Sequence, residues 1–422
     1  MTPPLFPNQP WRSVVILLIY GYQGMVAGFA TNAVPNIHAG LGTPVGVIGT
    51  FVAMVGLPWT FQPLWGPVVD RYGGFRMGRR RAWIIAGFIG ALACLALIPL
   101  AGEGAGALHV LGPVLLAHSV FASLIDTATD GLIIDHVPTH RLGQATALTR
   151  VGFACGIAFG AASFAWLIPR LGLPTAGGVL LVLGACVAAA PLLVREAADD
   201  ALLSLRAGAP RHGHARGWAE LARGLWTVLR RRQTLALLAF CAAEEFAVGA
   251  FGVTLSVALV QRGGWAPAEI SHLQAGMALA GGTAGALAVG WWSDRIGPHR
   301  ALLTLLGACV VSHLVAAWLL LDGDLSGPRA AAALVLSGVV PALFFVALAP
   351  AVMSTSRGEA AATRFALFMA ALNLGGVTGA AAAGVVGAAL SPAGMALGAA
   401  LVFIGCLISA WRPQRLFVAA QR

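Results

Sequence analysis

Lysine is absent: every one of the 26 Lys+Arg positions in the 422 residues is arginine. Charge of either sign is scarce at 10%, where a soluble domain carries roughly 25%. That deficit excludes an ordinary water-soluble surface. Cysteine is also sparse, six residues set singly in apolar runs at Cys94, Cys155, Cys186, Cys241, Cys309 and Cys406. No C-x-x-C pair occurs, which excludes a zinc site and a disulfide framework. No G-x4-G-K-[ST] loop is present, so ATP does not drive the protein. No nucleophile–base pair or metal cluster appears at matched depth, so an enzyme is excluded, and no cofactor is expected. The absence of lysine is read as a trace of genome composition and carries no chemistry.

What is abundant is apolar: 58% of residues are hydrophobic and 54 are glycine. Glycine weakens helices in water but lets membrane helices approach closely. Runs long enough to cross about 30 Å of hydrocarbon lie at 14–34, 44–69, 82–101, 109–134, 143–168, 174–194, 233–260, 269–292, 301–321, 328–352, 362–387 and 391–411. The expected class is an all-α membrane protein of twelve spans. The first run, from Val14 to Ala33, is too long for the core of a cleavable signal. A polar, arginine-rich stretch from Arg195 to Arg232 separates two sets of six, giving halves at 1–194 and 233–422 and a connector at 195–232. An amphipathic helix is expected near Trp218–Leu229, and His212 and His214 read as solvated loop residues, with metal binding the lesser alternative.

The net charge of +10 sits almost wholly at one end of these spans. With the N-terminus inside, the inner segments hold Arg12, the Arg71–Arg81 cluster, Arg141, the connector, Arg295, Arg300, Arg357, Arg412, Arg415 and Arg422. The outer ones hold Arg170, Arg262 and Arg329. Positive charge marks the cytoplasmic side, so both termini are placed there. The basic balance therefore reports topology and contact with lipid, and nucleic acid is excluded as a partner. A monomer is expected.

One pattern is duplicated. Gly66-Pro-Val-Val-Asp70-Arg71-Tyr-Gly73 follows the second run, and Gly290-Trp-Trp-Ser-Asp294-Arg295-Ile-Gly297 follows the eighth. Two copies of G-x-x-x-D-R-x-G at the same point of each six-helix set imply the two-half major facilitator architecture. Gly66, Asp70, Arg71, Arg79, Arg80, Asp294 and Arg295 are the expected gating residues. The acidic and basic groups anchor short loops at the inner surface, and glycine permits the tight turn.

Ionisable groups inside the membrane are costly and are functional candidates. Asp126 and Asp130 stand at i, i+4 on one face of the fourth run, with Asp135 near its inner end. Two carboxyls this close do not both ionise readily, which suits proton uptake and release. Glu244 and Glu245 lie near the middle of the seventh run, about 100° apart around the helix. One of them faces a central cavity, and Glu244 is favoured. Arg150 is either the counter-ion of the aspartates or a substrate-binding cation. Arg364 is placed to reach the inner surface. Gly152, Gly156 and Gly160 form a small-residue stripe on the fifth run. His118, His272 and His313 read as structural.

The segment Asp126-Thr-Ala-Thr-Asp130-Gly-Leu-Ile-Ile-Asp135-His-Val-Pro138 resembles the D-x3-D-x4-D-x2-P motif of the AmpG-type permeases of the major facilitator superfamily. Gln62-Pro-Leu-Trp65-Gly-Pro-Val-Val-Asp70-Arg71, the Gly78–Trp83 segment and Ala362-Thr-Arg-Phe-Ala-Leu367 extend the likeness over most of the chain. The resemblance implies a proton-driven importer of a medium-sized solute in the bacterial inner membrane, with protons and that solute as partners. Where the family often has a lysine, this chain has Gln62, and basic groups are also missing at Ala154, Cys241 and Gly376, while Glu244 keeps an acidic position. Those departures, and the chain's end soon after the twelfth run, shift the implied solute from an anionic muropeptide toward a siderophore of the rhizobactin or pyochelin kind. A muropeptide permease and an exporter of drugs or metabolites remain alternatives.

Overall fold

A computed structural model of the protein describes residues 5–72, 74–138, 142–204, 206, 223, 226, 229–355 and 361–411. The chain is helical throughout the hydrophobic runs. Among the described residues, eleven helices are long and apolar enough to cross a membrane. They are α1 Gln9–Gly40, α2 Val45–Arg71, α3 Arg81–Ala101 and α4 Ala105–His136; α5 Leu142–Leu193 and α6 Arg232–Gln261; α7 Pro267–Ser293; and α8 Pro298–Leu319, α9 Pro328–Thr355, α10 Ala361–Ala389 and α11 Pro392–Trp411. His212 and His214 lie outside the described residues, as do Arg141, Arg357 and most of the Trp218–Leu229 segment; so do the side chains of Asp294 and Arg364.

The two runs expected at 143–168 and 174–194 form one helical stretch α5, Leu142–Leu193, divided into two helices at Gly172, which takes φ 79° and ψ 159°. Only glycine adopts that backbone readily, and Pro169 and Pro174 flank it.

Local sequence also shapes α1 and α7. Pro35 lacks an N–H and crowds the preceding turn; before it, α1 widens into a five-residue π turn over Phe29–Ala33. A second π turn, Ala280–Gly285, interrupts α7. Such turns push side chains off the regular helix phase, and Thr31 and Asn32 stand on the first of them.

Close packing rests on glycine. Gly156 and Gly160 of α5 lie against the backbone of Gly21 and Met25 of α1, and Gly24 and Gly28 of α1 lie against Phe153 and Ile157 of α5. Gly152 completes the expected stripe, with Leu17 O 3.1 Å from where its Cβ would stand. The same device recurs between α6 and α10: Gly375 and Gly379 meet the backbone of Ala242 and Phe246. With no hydrophobic drive between helices in lipid, such backbone approach is what holds them.

The α1–α5 group and the α6–α11 group meet along α2 with α10 and α5 with α7. Their polar contacts gather at the end opposite the arginine-rich loops. There Gln261 Nε2 donates to Ala39 O at 3.2 Å and Thr43 O at 2.8 Å. Asn36 Nδ2 donates to Ser271 Oγ at 2.9 Å and Gln274 Oε1 at 2.8 Å. Nearer the middle, Ala154 faces Gly282, and Asn373 Nδ2 donates to Trp59 O at 3.1 Å.

Candidate functional site

Three sets of residues carry chemistry. The first is the carboxylate pair on α4. Tyr20 Oη on α1 donates to Asp130 Oδ1 at 2.5 Å, and Gln62 Nε2 on α2 donates to Asp126 Oδ2 at 2.5 Å. Trp65 Nε1 donates to Ser123 Oγ at 3.0 Å one turn above. Arg150 on α5 exerts its charge on both aspartates, while its guanidinium lies over the ring of Phe345 on α9, 4.8 Å from the centroid. The sequence-predicted Gln62, Asp126, Asp130 and Arg150 are therefore brought together. Tyr20 and Phe345 were not anticipated: Tyr20 is one of three tyrosines and its position in α1 carries no signal until α1 and α4 are placed side by side.

The second set is the network at the arginine-rich end. Asp70 receives Arg79 Nη2 at 3.0 Å and Arg80 Nη1 at 2.7 Å, and Arg80 Nε reaches Asp135 at 2.9 Å. Arg80 thus ties the α2–α3 loop to the end of α4. Glu196 accepts the backbone N–H groups of Arg79, Arg80 and Arg81 at the start of α3, where a helix N-terminus favours negative charge. Burial pushes the Glu196 carboxyl above its ordinary range, against the lowering effect of those N–H groups. Arg81 is buried, and its guanidinium donates to the carbonyls of Met77, Pro191, Leu192, Ala201 and Leu202. Neither role was foreseen. Gly66 has nothing within 4 Å of where its Cβ would stand, so close packing does not require it. In the second copy Gly297 takes φ +88°, as the turn demands, and Arg295 stacks on Trp291. Arg71 lies 6.0 Å from the ring centroid of Tyr72.

The third set is a cavity of about 360 Å³ between the two groups of helices. Its polar lining is Thr31, Asn32, Asn36, Ser256, Gln274 and Ser337. Ile48, Val52, Val248, Val253, Met277 and Leu334 supply the apolar wall. Among the described residues that line it, none is charged. A central cavity was expected from the sequence, but following the charges did not identify the residues that line it. The available signal was the small and polar stripe Gly249, Gly252, Ser256 on α6.

Glu244 and Glu245 divide otherwise than expected. Glu244 is 1% exposed and its Oε1 has no partner among the described residues. It points into the α6–α11 group, toward Cys241, Cys309 and Cys406. Glu245 is the partly exposed one, with Oε2 3.7 Å from where a Cβ on Gly376 would stand. Residues 245, 248, 249, 252, 253 and 256 share one face of α6, and all but 245 line the cavity. His118 Nε2 meets Tyr22 Oη at 2.8 Å, and His313 Nδ1 meets Cys309 O at 2.8 Å.

Comparison with known proteins gives the same architecture. The family model described as Major Facilitator Superfamily matches residues 16–326. An anhydromuropeptide permease of Escherichia coli K12 is 24% identical over 163 residues, 39% of this chain and 33% of the relative. The matched segment thus covers a third of that relative's length. An uncharacterized membrane protein of Saccharomyces cerevisiae is 34% identical over 73 residues, 17% of this chain and 13% of the relative. Among solved structures, a POT family transporter in complex with a thioalcohol-conjugated peptide superposes with TM-score 0.69 at 13% identity, covering 95% of this chain and 96% of that one. The nucleoside transporter NupG superposes with TM-score 0.68 at 13% identity, covering 95% and 98%.

Proposed function

The chain belongs to the Major Facilitator Superfamily, and on that footing we propose that it is a proton-driven secondary transporter importing a medium-sized solute across the bacterial inner membrane. The observation that carries the proton is the Asp126/Asp130 pair. Two carboxyls one turn apart are held by Tyr20 and Gln62 inside a membrane span, where charge persists only with a purpose or full compensation. Protonation removes the repulsion between them and weakens their hold on Arg150. Arg150 already lies over Phe345 of the other helix group, so a change in its attraction to the aspartates links proton binding to the relation between the groups.

Twelve spans in two halves, 1–194 and 233–422, are the reading that α5 supports. Its 52 residues would run about 78 Å as one helix, more than twice a bilayer core of roughly 30 Å, and Gly172 supplies the break. The paired glycine contacts of α1 with α5 and α6 with α10 occupy corresponding places in the two halves. With the arginine-rich end in the cytoplasm, the contacts of Gln261 and Asn36 close the periplasmic side, and the cavity faces inward. Alternating access rocks one half against the other, with Gly66, Asp70, Arg71, Arg79, Arg80, Asp294 and Arg295 at the inner gate and the protein acting as a monomer. A siderophore is the solute that the departures from the family pattern favour. A muropeptide is the second reading, favoured by the likeness to the anhydromuropeptide permease, and an exporter of drugs or metabolites is the third.

The test is uptake in proteoliposomes with a pH gradient, run with a siderophore and a muropeptide in parallel. Asp126→Asn, Asp130→Asn and Glu244→Gln each keep shape and remove titration. Uphill uptake is expected to collapse in one or more, while exchange of labelled for unlabelled solute survives. If all three concentrate solute as well as the parent at equal protein level, coupling through these residues is wrong.

A further inference from the structure

We propose that Glu245 is the polar anchor of the central cavity, and that the solute seated there carries a cationic donor, an ammonium or amidinium, on an apolar body. The inference rests on the reading of this cavity as the solute's path and names the chemistry that fits it.

Consider first which hydrogen-bonding capacity the wall has left. Thr31 Oγ1 donates to Ala27 O at 2.8 Å, and Ser337 Oγ donates to Ala333 O at 2.7 Å. Asn36 spends its amide N–H groups on Ser271 and Gln274. Gln274 Nε2 in turn donates to Ser256 Oγ at 3.1 Å. What Thr31, Ser337 and Asn36 turn toward the cavity is therefore lone pairs, two hydroxyl oxygens and one amide oxygen. Ser256, which accepts from Gln274, keeps its O–H, and Asn32 keeps its amide N–H groups, so the wall offers acceptors together with a few donors and does not by itself choose the solute.

Charge adds the decisive preference. Glu245 continues the cavity face of α6 one turn toward the arginine-rich end. It has no hydrogen bond or ion pair among the described residues, and opposite its carboxyl stands Gly376, which offers no side chain. Among the described residues that line the cavity, none is cationic. The cations of the neighbouring helices are engaged elsewhere: Arg150 with Phe345 and the α4 aspartates, Arg80 with Asp70 and Asp135. A carboxylate removed from bulk water without a partner costs several kcal/mol. A bound cation offsets that cost, and a bound anion adds to it. The apolar wall of Ile48, Val52, Val248, Val253, Met277 and Leu334 accepts the rest of such a solute. Glu244, pointing away, takes no part.

Benzamidine, benzamide and benzoate share one shape and differ in charge, so they isolate this preference. In nanodisc-reconstituted protein, the rate of dicyclohexylcarbodiimide labelling at residue 245 is read by mass spectrometry as each is titrated. Benzamidine is expected to protect Glu245 at concentrations at least about tenfold lower than benzoate or benzamide, a difference of about 1.4 kcal/mol. It should raise the unfolding temperature of the parent, Glu244→Gln and Glu245→Asp, and leave that of Glu245→Gln unmoved. Protection by benzoate equal to that by benzamidine overturns the assignment, as does no protection by benzamidine. Loss of pH-driven uptake with benzamidine protection intact counts against the transport reading alone. Absent protection, in protein whose two ends still exchange accessibility, counts against this assignment alone.

Discussion

Removing Gln261 should loosen the seal at the end opposite the arginine-rich loops and populate a state open there. Its side-chain amide makes two hydrogen bonds to backbone carbonyls of the other helix group, Ala39 O at 3.2 Å and Thr43 O at 2.8 Å. Each is worth about 0.5–1.5 kcal/mol net, and in the open state water replaces both. Gln261→Ala should then shift the balance by about 1–3 kcal/mol, or roughly 5–150-fold. If the parent is closed at that end by about 99 to 1, a tenfold shift brings the open form to about 9%. Asn36→Ala removes two further bonds, to Ser271 and Gln274, and a second tenfold shift brings the double variant to about half open. Spin labels on Leu41→Cys and Arg262→Cys, exposed positions flanking the seal, report the distance by pulsed dipolar spectroscopy. A longer-distance population should grow from parent to single to double variant. An unchanged distance distribution in the folded double variant would refute the reasoning, because it would mean that the apolar contacts alone hold the end shut.

Asp70→Asn and Arg79→Ala should slow transport with little loss of solute binding, checked by counterflow rates against equilibrium binding, because both residues lie on the gating loop and neither lines the cavity. Gly156→Ala puts a methyl group 2.8 Å from Met25 N; such overpacking costs about 1–3 kcal/mol, read as a lower unfolding temperature and reduced folded yield. Glu196→Gln keeps an oxygen acceptor for the start of α3 and should cost less than Glu196→Ala, which loses a helix cap worth about 0.5–2 kcal/mol. Because burial raises the Glu196 pKa in the folded protein, the protonated form is the one folding favours. Parent stability relative to Glu196→Gln should therefore rise as pH falls below the folded pKa and decline as pH rises through it. Cysteines at Leu41, Glu103 and Ser391 should react with an impermeant reagent from outside sealed cells, and a cysteine at Leu203 should not, which checks the orientation.

The helices were legible because a span needs little more than length and apolarity, and both are written in one dimension. The bend at Gly172 was legible only as a gap between two runs; its geometry, a helix continuing on either side of one left-handed residue, depends on the prolines around it. The loop motif at Gly66, Asp70 and Arg71 was visible as a repeat. The roles of Arg80, Arg81 and Glu196 were not, since their partners lie in segments distant along the chain: Asp135 at the end of α4, the carbonyls after α5, and the backbone at the start of α3. The pairing of Gln62 with Asp126 follows the same rule. Each residue was singled out, but their contact appears only when α2 and α4 lie side by side.

The division between Glu244 and Glu245 shows what a sequence reading can use beyond charge. Adjacent residues on a helix are about 100° apart, so the question is which of two directions faces the axis of the molecule. Apolarity cannot answer it in a membrane, because lipid-facing and buried positions are equally apolar. Small and polar residues can. Gly249, Gly252 and Ser256 repeat at spacings of three and four, and extrapolating that face toward the start of α6 lands on Glu245, whereas Glu244 falls about a third of a turn away. The same face carries the cavity. A charge inside a span is thus located by the phase of the small residues around it, and a carboxyl off that phase, such as Glu244, has the dry interior of its own helix group as its surroundings. Replacing it should accordingly perturb folding more than solute recognition. Glu244→Gln is expected to change the unfolding temperature while leaving benzamidine protection of Glu245 within about twofold of the parent, under 0.5 kcal/mol. Loss of that protection in Glu244→Gln, with the benzamidine-induced rise in unfolding temperature retained in Glu245→Gln, would reverse the two assignments.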